Sequence, residues 1–94
     1  MRNLSPALKD LLFRIAGEKY RDVIMIALAW KPLVGGLMSE RSKIYKFEKN
    51  VLYVKVASSA WMSEFVVLRP QILKDLKEKT KLEIENILFI IDTM

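Results

Sequence analysis

The spacing of apolar residues in this 94-residue chain changes at about residue 43, from the steps of a helix to the alternation of a strand. Before that point, five apolar residues follow one another at steps of three and four: Val23, Ala27, Trp30, Val34 and Leu37. After it, residues 43–47 and 51–56 are rich in β-branched and aromatic side chains and are predicted to be strands. The short gap between them predicts a hairpin with a turn at residues 48–50. On the second strand, alternation predicts three core residues: Leu52, Val54 and Val56.

Two helices are predicted before the hairpin. The first covers about residues 6–16, because Ser5-Pro6 is a common start signal and Gly17 a common end. The second starts near residues 19–22. Proline removes a backbone donor and crowds the preceding turn, so this helix is expected either to kink at Pro32 or to end at Trp30 and restart.

A third helix and a last strand are predicted after the hairpin. The helix starts at Ser58-Ser59, where one serine is expected to cap it, and Pro70 is expected to kink it. Its apolar stripe is predicted to face the core: Trp61, Phe65, Leu68, Ile72 and Leu76. Residues 84–91 are apolar almost throughout, which fits a strand that is covered on both sides or by a partner.

The resulting order, α-α-β-β-α-β, predicts one α+β domain spanning residues 1–94. Its strands form a three-stranded sheet with helices packed mainly on one face. The layout is similar to the K-homology fold of nucleic-acid-binding domains. That fold clamps nucleic acid with a Gly-x-x-Gly loop, which Gly35-Gly36 is not, so sequence-specific reading of a single strand is not expected.

The side-chain chemistry favours binding over catalysis. The chain has no cysteine and no histidine, so it lacks thiolate ligands, the commonest metal ligand and the commonest general base. Ser58 and Ser59 have no visible base, and Glu83 and Glu85 form a close acidic pair that is better explained as surface. We therefore expect no enzyme activity, no cofactor and no metal site.

The positive charge concentrates on the predicted hairpin. Sixteen basic residues against eleven acidic ones give a net charge of +5, which favours an acidic partner such as nucleic acid. Phosphates attract cations and unstacked bases stack on aromatic rings, so the hairpin is a candidate DNA-binding surface. Its predicted residues are Arg41, Lys43, Tyr45, Lys46, Lys49, Tyr53 and Lys55. The alternative is that these are solvated strand residues around core aromatics.

Two segments resemble the signatures of the DciA family of bacterial replicative-helicase loaders. Residues 29–35, Ala-Trp-Lys-Pro-Leu-Val-Gly, resemble a helix on which a tryptophan is followed four residues on by Val-Gly. Residues 50–61 resemble the family's turn, strand and Ser-Ser-Ala-Trp helix start. The helix continues at family-like spacing with Glu64-Phe65, Leu68 and Ile72-Leu73, so the likeness covers about residues 20–91. Pro32 inside the first signature departs from the pattern.

The resemblance implies a K-homology-like domain that binds single-stranded or branched DNA and helps the replicative helicase engage it. Family members often carry a flexible basic extension, and a chain that ends at Met94 is expected to bind DNA less tightly without one. The signature residues are expected to be structural: Trp30, Gly35, Ser58, Ser59 and Trp61. Both tryptophans are expected in the core, and Gly35 is expected to allow a turn or a close helix approach.

Two other functions stay open: an RNA- or ribosome-associated K-homology-like protein, and a plain protein-interaction domain that uses its last strand. In that strand one of two apolar rows is expected to lack cover: Ile84, Leu88 and Ile90, or Ile87, Phe89 and Ile91. If the first row is the uncovered one, Leu88 and Ile90 are predicted to contact the helicase or a second copy, unless the first helix covers them. Charges in the first fifteen residues argue against an export signal. The most apolar stretch is broken by Lys31-Pro32, which argues against a membrane span. A cytoplasmic location is expected.

Overall fold

The computed structural model describes residues 18–92, and the predicted helix over residues 6–16 lies outside them. The described elements run in the predicted order α-α-β-β-α-β. They are α1 (Glu18–Val34), α2 (Gly36–Glu40), β1 (Ser42–Glu48), β2 (Val51–Val56), α3 (Ser59–Thr80) and β3 (Asn86–Ile91). None of these helices has the length and apolar character needed to cross a bilayer.

The three strands form one mixed sheet in the order β1-β2-β3. β1 and β2 are antiparallel, and β3 returns after α3 to pair with β2 in parallel. The hairpin turn is one residue shorter than predicted, because Glu48 still pairs with Val51. Its two central residues, Lys49 and Asn50, have positive φ values of 51° and 65°, the signature of a type I′ turn whose twist matches the flanking strands. The α+β fold predicted from the order is confirmed.

The core lies between one face of the sheet and the long helices α1 and α3. The predicted core residues of β2 (Leu52, Val54 and Val56) have no exposed surface. They pack with buried side chains from both helices and from the β3 region: Ile26, Ala29, Trp30, Phe65, Ile72, Leu76, Ile84 and Ile87. One apolar layer on one side of the sheet thus holds the domain together.

Trp30 occupies the centre of this layer, as predicted. Its ring stacks on that of Phe65 at 6.2 Å between centroids, and Phe65 contacts Phe89 at 5.2 Å. Its indole Nε1 donates a hydrogen bond to the Ser42 hydroxyl, which in turn donates to the carbonyl of Met38. The signature tryptophan therefore joins α1 to α2, α3 and both outer strands.

Trp61 is only half-buried, so the prediction that it lies in the core is wrong. The inward stripe of α3 follows Phe65, Ile72, Leu76 and Thr80, and Met62 packs against the core beside it. Trp61 and Leu68 lie on the flank of that stripe, and Leu68 is 40% exposed. The predicted serine cap is correct: the Ser58 hydroxyl accepts a hydrogen bond from the backbone N–H of Trp61 at 3.3 Å. Ser59 is the exposed first residue of the helix.

Neither proline ends its helix. α1 continues through Pro32 to Val34 instead of ending at Trp30, and α3 continues through Pro70. The break falls at Gly35, whose φ of +92° is disfavoured for residues with a side chain. A Cβ atom at Gly35 would meet nothing within 4 Å, so the glycine is needed for the turn and not for a close helix approach.

β3 starts at Asn86, two residues later than predicted. Ile84 therefore lies in the connection after α3, outside the strand alternation, and its side chain is buried in the core. The prediction that Ile84 shares a strand face with Leu88 and Ile90 is therefore wrong. Leu88 and Ile90 do lie on the surface, each 39% exposed.

Candidate nucleic-acid interface

The sheet face opposite the helices gathers most of the predicted binding residues. The register places Lys43 beside Lys55 and Lys46 beside Tyr53 across the β1–β2 pair. It places Leu88 beside Tyr53 and Ile90 beside Lys55 across the β2–β3 pair. We call this surface the open face, and its residues are Lys43, Tyr45, Lys46, Tyr53, Lys55, Leu88 and Ile90.

A β-bulge puts two consecutive residues, Tyr45 and Lys46, on the open face. The register of β1 against β2 shifts between Ile44 and Lys46, which leaves Tyr45 as an extra residue. As a result Ile44 and Phe47 both pack against the core. Tyr45 and Lys46, between them, both turn to the open face, since each meets a side chain of that face. Phe47 is therefore a core aromatic, as the alternative interpretation of the hairpin had it, whereas Tyr45 is 51% exposed.

Lysine and tyrosine side chains interleave across β1 and β2. The Lys55 ammonium lies 4.3 Å from the centroid of the Tyr45 ring. The Lys46 ammonium lies 4.8 Å from the Tyr53 centroid and 5.8 Å from that of Tyr45. These are cation–π distances, so each tyrosine presents a ring face, not only an edge, to a mobile cation. We call Tyr45, Lys46, Tyr53 and Lys55 the lysine–tyrosine cluster.

Two carboxylates offset part of the positive charge. Lys46 Nζ is 3.8 Å from Glu48, and Lys55 Nζ is 3.6 Å from Asp92. All four side chains are at least one-third exposed, and solvated pairs of this kind hold their partners weakly. Lys43 has no carboxylate within 4 Å among residues 18–92 and is exposed. The three lysines therefore remain available to an anionic ligand.

The other two predicted cations lie apart from this cluster. Arg41 is in the turn before β1, where its carbonyl accepts from the N–H of Ala57. Lys49 is in the hairpin turn at the opposite end of the strands. Five of the seven predicted DNA-binding residues thus share one face, and Arg41 and Lys49 lie at its two ends.

The open face is apolar along its β3 side. Leu88 and Ile90 are exposed on it, each at 39%. Ile91, which pairs with a core residue of β2, lies on the other face of the strand. Along the sequence, Leu88 and Ile90 are predicted to form a surface separate from that of the hairpin cations. The β2–β3 register makes them neighbours, and no sequence pattern predicts the register of two parallel strands joined by a long helix. The ion-pair partners Glu48 and Asp92 were also missed, although each lies at the end of a strand.

The rest of the described chain shows no competing chemical centre. Glu83 and Glu85 are both exposed. Within residues 18–92, no three acidic side chains come together in a way that could hold a metal ion. Within the described residues, the open face is therefore the best candidate for a binding site.

Comparison with known proteins identifies the family. A search of curated proteins finds no match. The family model described as "Dna[CI] antecedent, DciA" matches residues 3–89, which include both signature segments, the hairpin, α3 and most of β3. The matched region covers nearly the whole of the printed sequence. This chain belongs to the DciA family.

Proposed function

We propose that this chain is a non-enzymatic DNA-binding adaptor that helps to load or operate the bacterial replicative helicase during DNA replication. Membership of the DciA family supports the helicase-associated part of this role. The observation that supports DNA binding is that Lys46 and Lys55 lie over two tyrosine rings on the open face, with Lys43 beside Lys55.

The electrostatics of the open face suit a phosphate backbone. Each lysine that neutralises a phosphate releases a condensed counterion, so affinity should fall steeply as salt rises. The two ion pairs do not prevent this, because exposed carboxylates such as Glu48 and Asp92 compete weakly with a dense row of phosphates. DNA binding of this kind is independent of sequence, in keeping with the absence of a Gly-x-x-Gly loop.

For the helicase contact we propose the apolar side of the open face. Leu88 and Ile90 form an exposed apolar pair on a strand at the edge of the sheet. Exposed apolar groups of this kind in soluble proteins commonly mark protein interfaces. A second copy of this chain is the competing occupant, and measurement of mass in solution separates the two.

The decisive experiment compares two variants with the same change of charge. Lys43, Lys46 and Lys55 are changed together to glutamine. The control changes Lys74, Lys77 and Lys79, which lie near the end of α3, to glutamine. Fluorescence anisotropy with a labelled single strand is measured over a salt series. The open-face variant should no longer bind tightly, and its salt slope should fall by about 0.7 for each phosphate that is no longer neutralised.

The control variant should bind nearly as the parent does. Equal losses of affinity in both variants would mean that net charge alone drives binding, and an unchanged open-face variant would reject this face. RNA of matched sequence serves as competitor in the same assay. A clear preference for RNA would favour the RNA-associated alternative, and no binding to either nucleic acid would leave a plain protein-interaction domain.

A further inference from the structure

We propose that the open face binds single-stranded DNA by stacking unpaired bases on Tyr45 and Tyr53, while Lys46 and Lys55 move from the tyrosine rings to the phosphates. This inference rests on the proposed DNA binding and specifies the form of DNA and the groups that bind it. It assigns the two tyrosines as the base platforms of the domain.

The bulge is the feature that brings Lys46 to the same face as Tyr45. Ile44 packs against the core, so alternation turns Tyr45 to the open face, and a regular strand would then turn Lys46 to the core side. The extra residue instead keeps Lys46 beside both rings, while Tyr45 lies beside Lys55 with half of its surface exposed. Bulges of this kind re-aim a side chain at functional sites. Tyr53 lies on the middle strand, and Lys46 contacts both rings, so the two platforms are close enough to serve successive bases.

The shape of the face selects a single strand over a duplex. The open face is three strands wide, broader than the helix or two-stranded ribbon that the major groove of duplex DNA admits. In a duplex the bases are already stacked and only the backbone would meet the lysines. A single strand can splay its bases onto aromatic rings while its phosphates follow the cations.

In the free protein, the lysine ammonium groups cover the tyrosine ring faces. Each ammonium lies over a ring face, which is where a base would stack. A phosphate carries a full negative charge, whereas a ring offers only its quadrupole, so the ammonium gains by transferring to the phosphate. The flexible lysine stem permits the transfer without movement of the strands.

The test compares three probes of equal length on the unaltered protein: a single strand, the same strand with abasic sites, and a duplex. The abasic strand keeps the phosphates and removes the bases. Stacking typically contributes about 1–3 kcal/mol per base, so the intact strand should bind about 5- to 150-fold more tightly than the abasic one for each stacked base. The duplex should bind more like the abasic strand.

Variants assign the effect to the tyrosines. Changing Tyr45 and Tyr53 together to threonine, which suits a strand, should remove the preference for the intact strand and leave abasic affinity nearly unchanged. Changing both to phenylalanine keeps the rings and should keep the preference. Tyr20→Leu on α1 is the control, because Tyr20 is exposed to the same degree as Tyr45 but lies on a helix.

The outcomes separate this inference from the proposed function. Equal binding of intact and abasic strands overturns the stacking mode, while salt-sensitive binding to both keeps the DNA-binding role. A preference that survives the double threonine variant also overturns it, since the bases would then stack elsewhere. Failure of every probe to bind removes both proposals. The abasic comparison needs no variant, so a folding defect in the threonine protein does not block the test.

Discussion

The indole Nε1 of Trp30 donates a 2.9 Å hydrogen bond to the hydroxyl of Ser42, which lies at the start of the first strand. The Ser42 hydroxyl donates its own hydrogen bond to the carbonyl of Met38 at 2.8 Å. Both Trp30 and Ser42 are about 95% buried, so neither polar group has water as a substitute partner. The signature tryptophan therefore fixes the position of α1 against the first strand of the sheet.

Ser42→Ala should be destabilising by about 1–3 kcal/mol, because it leaves the buried indole N–H without an acceptor. The measurement is the midpoint of urea unfolding. Ser63→Ala is the matched control, since the Ser63 hydroxyl is exposed and bonds to the carbonyl of Ser59 in its own helix. That control should change stability by less than about 0.5 kcal/mol. Equal effects would contradict a special role for the Trp30–Ser42 bond.

The two tryptophans should respond differently to truncation. Trp30→Ala should cost about 3–5 kcal/mol, since it empties the centre of the core and removes the stack on Phe65. Trp61→Ala should cost clearly less, because that side chain is half-buried on the flank of α3. Thermal or urea unfolding of both variants makes the comparison. A Trp61 variant as unstable as the Trp30 variant would show that the half-buried ring carries more packing energy than its exposure indicates.

The hairpin turn offers a stabilising substitution. Lys49 has a φ of 51°, a left-handed conformation that is strained for most side chains and tolerated by asparagine. Lys49→Asn should therefore raise the free energy of unfolding, by up to about 1 kcal/mol. Lys49 lies at the end of the hairpin, away from the lysine–tyrosine cluster, so DNA affinity should fall less than for Lys43→Gln. A larger decrease for Lys49→Asn would extend the DNA path to the turn.

Local patterns in the sequence predict the elements well, and tertiary geometry explains where they fail. Alternation correctly predicts the buried row of β2, because both of its faces follow a period of two. The same rule fails in β1 after Tyr45, where a bulge shifts the period and turns Lys46 outward and Phe47 to the core. Helical spacing places Trp61 in the apolar stripe of α3. How deeply Trp61 is buried also depends on the rotation of the helix about its axis, which spacing alone does not give.

The candidate site is harder to predict than the fold. The clustering of Lys43, Lys46 and Lys55 with tyrosines is visible along the chain, because a hairpin keeps neighbours in sequence close in space. The proximity of Leu88 to Tyr53 is not visible, since α3 separates the two strands and the pairing register depends on how that helix crosses the sheet. Long-range register is the step at which local pattern stops being informative.

Leu88→Lys tests whether the two halves of the open face serve different partners. The side chain is 39% exposed, so the substitution should cost only about 1 kcal/mol in stability, whereas Ile87→Lys on the buried side should unfold the domain. A lysine at position 88 would stand beside Tyr53 and add a cation to the DNA surface. DNA affinity should therefore be kept or raised, while association with the helicase should weaken.

Light scattering of the protein alone, with helicase binding and DNA anisotropy in parallel, gives the three readouts for Leu88→Lys and for Ile90→Lys. A change in mass would identify a second copy of the chain as the partner that contacts the apolar pair. Weaker helicase binding at constant mass would identify the helicase instead. If both variants unfold although the pair is exposed, β3 needs its apolar residues for the fold itself. The proposed partner contact on the open face would then be wrong, and the DNA surface beside it would stand alone.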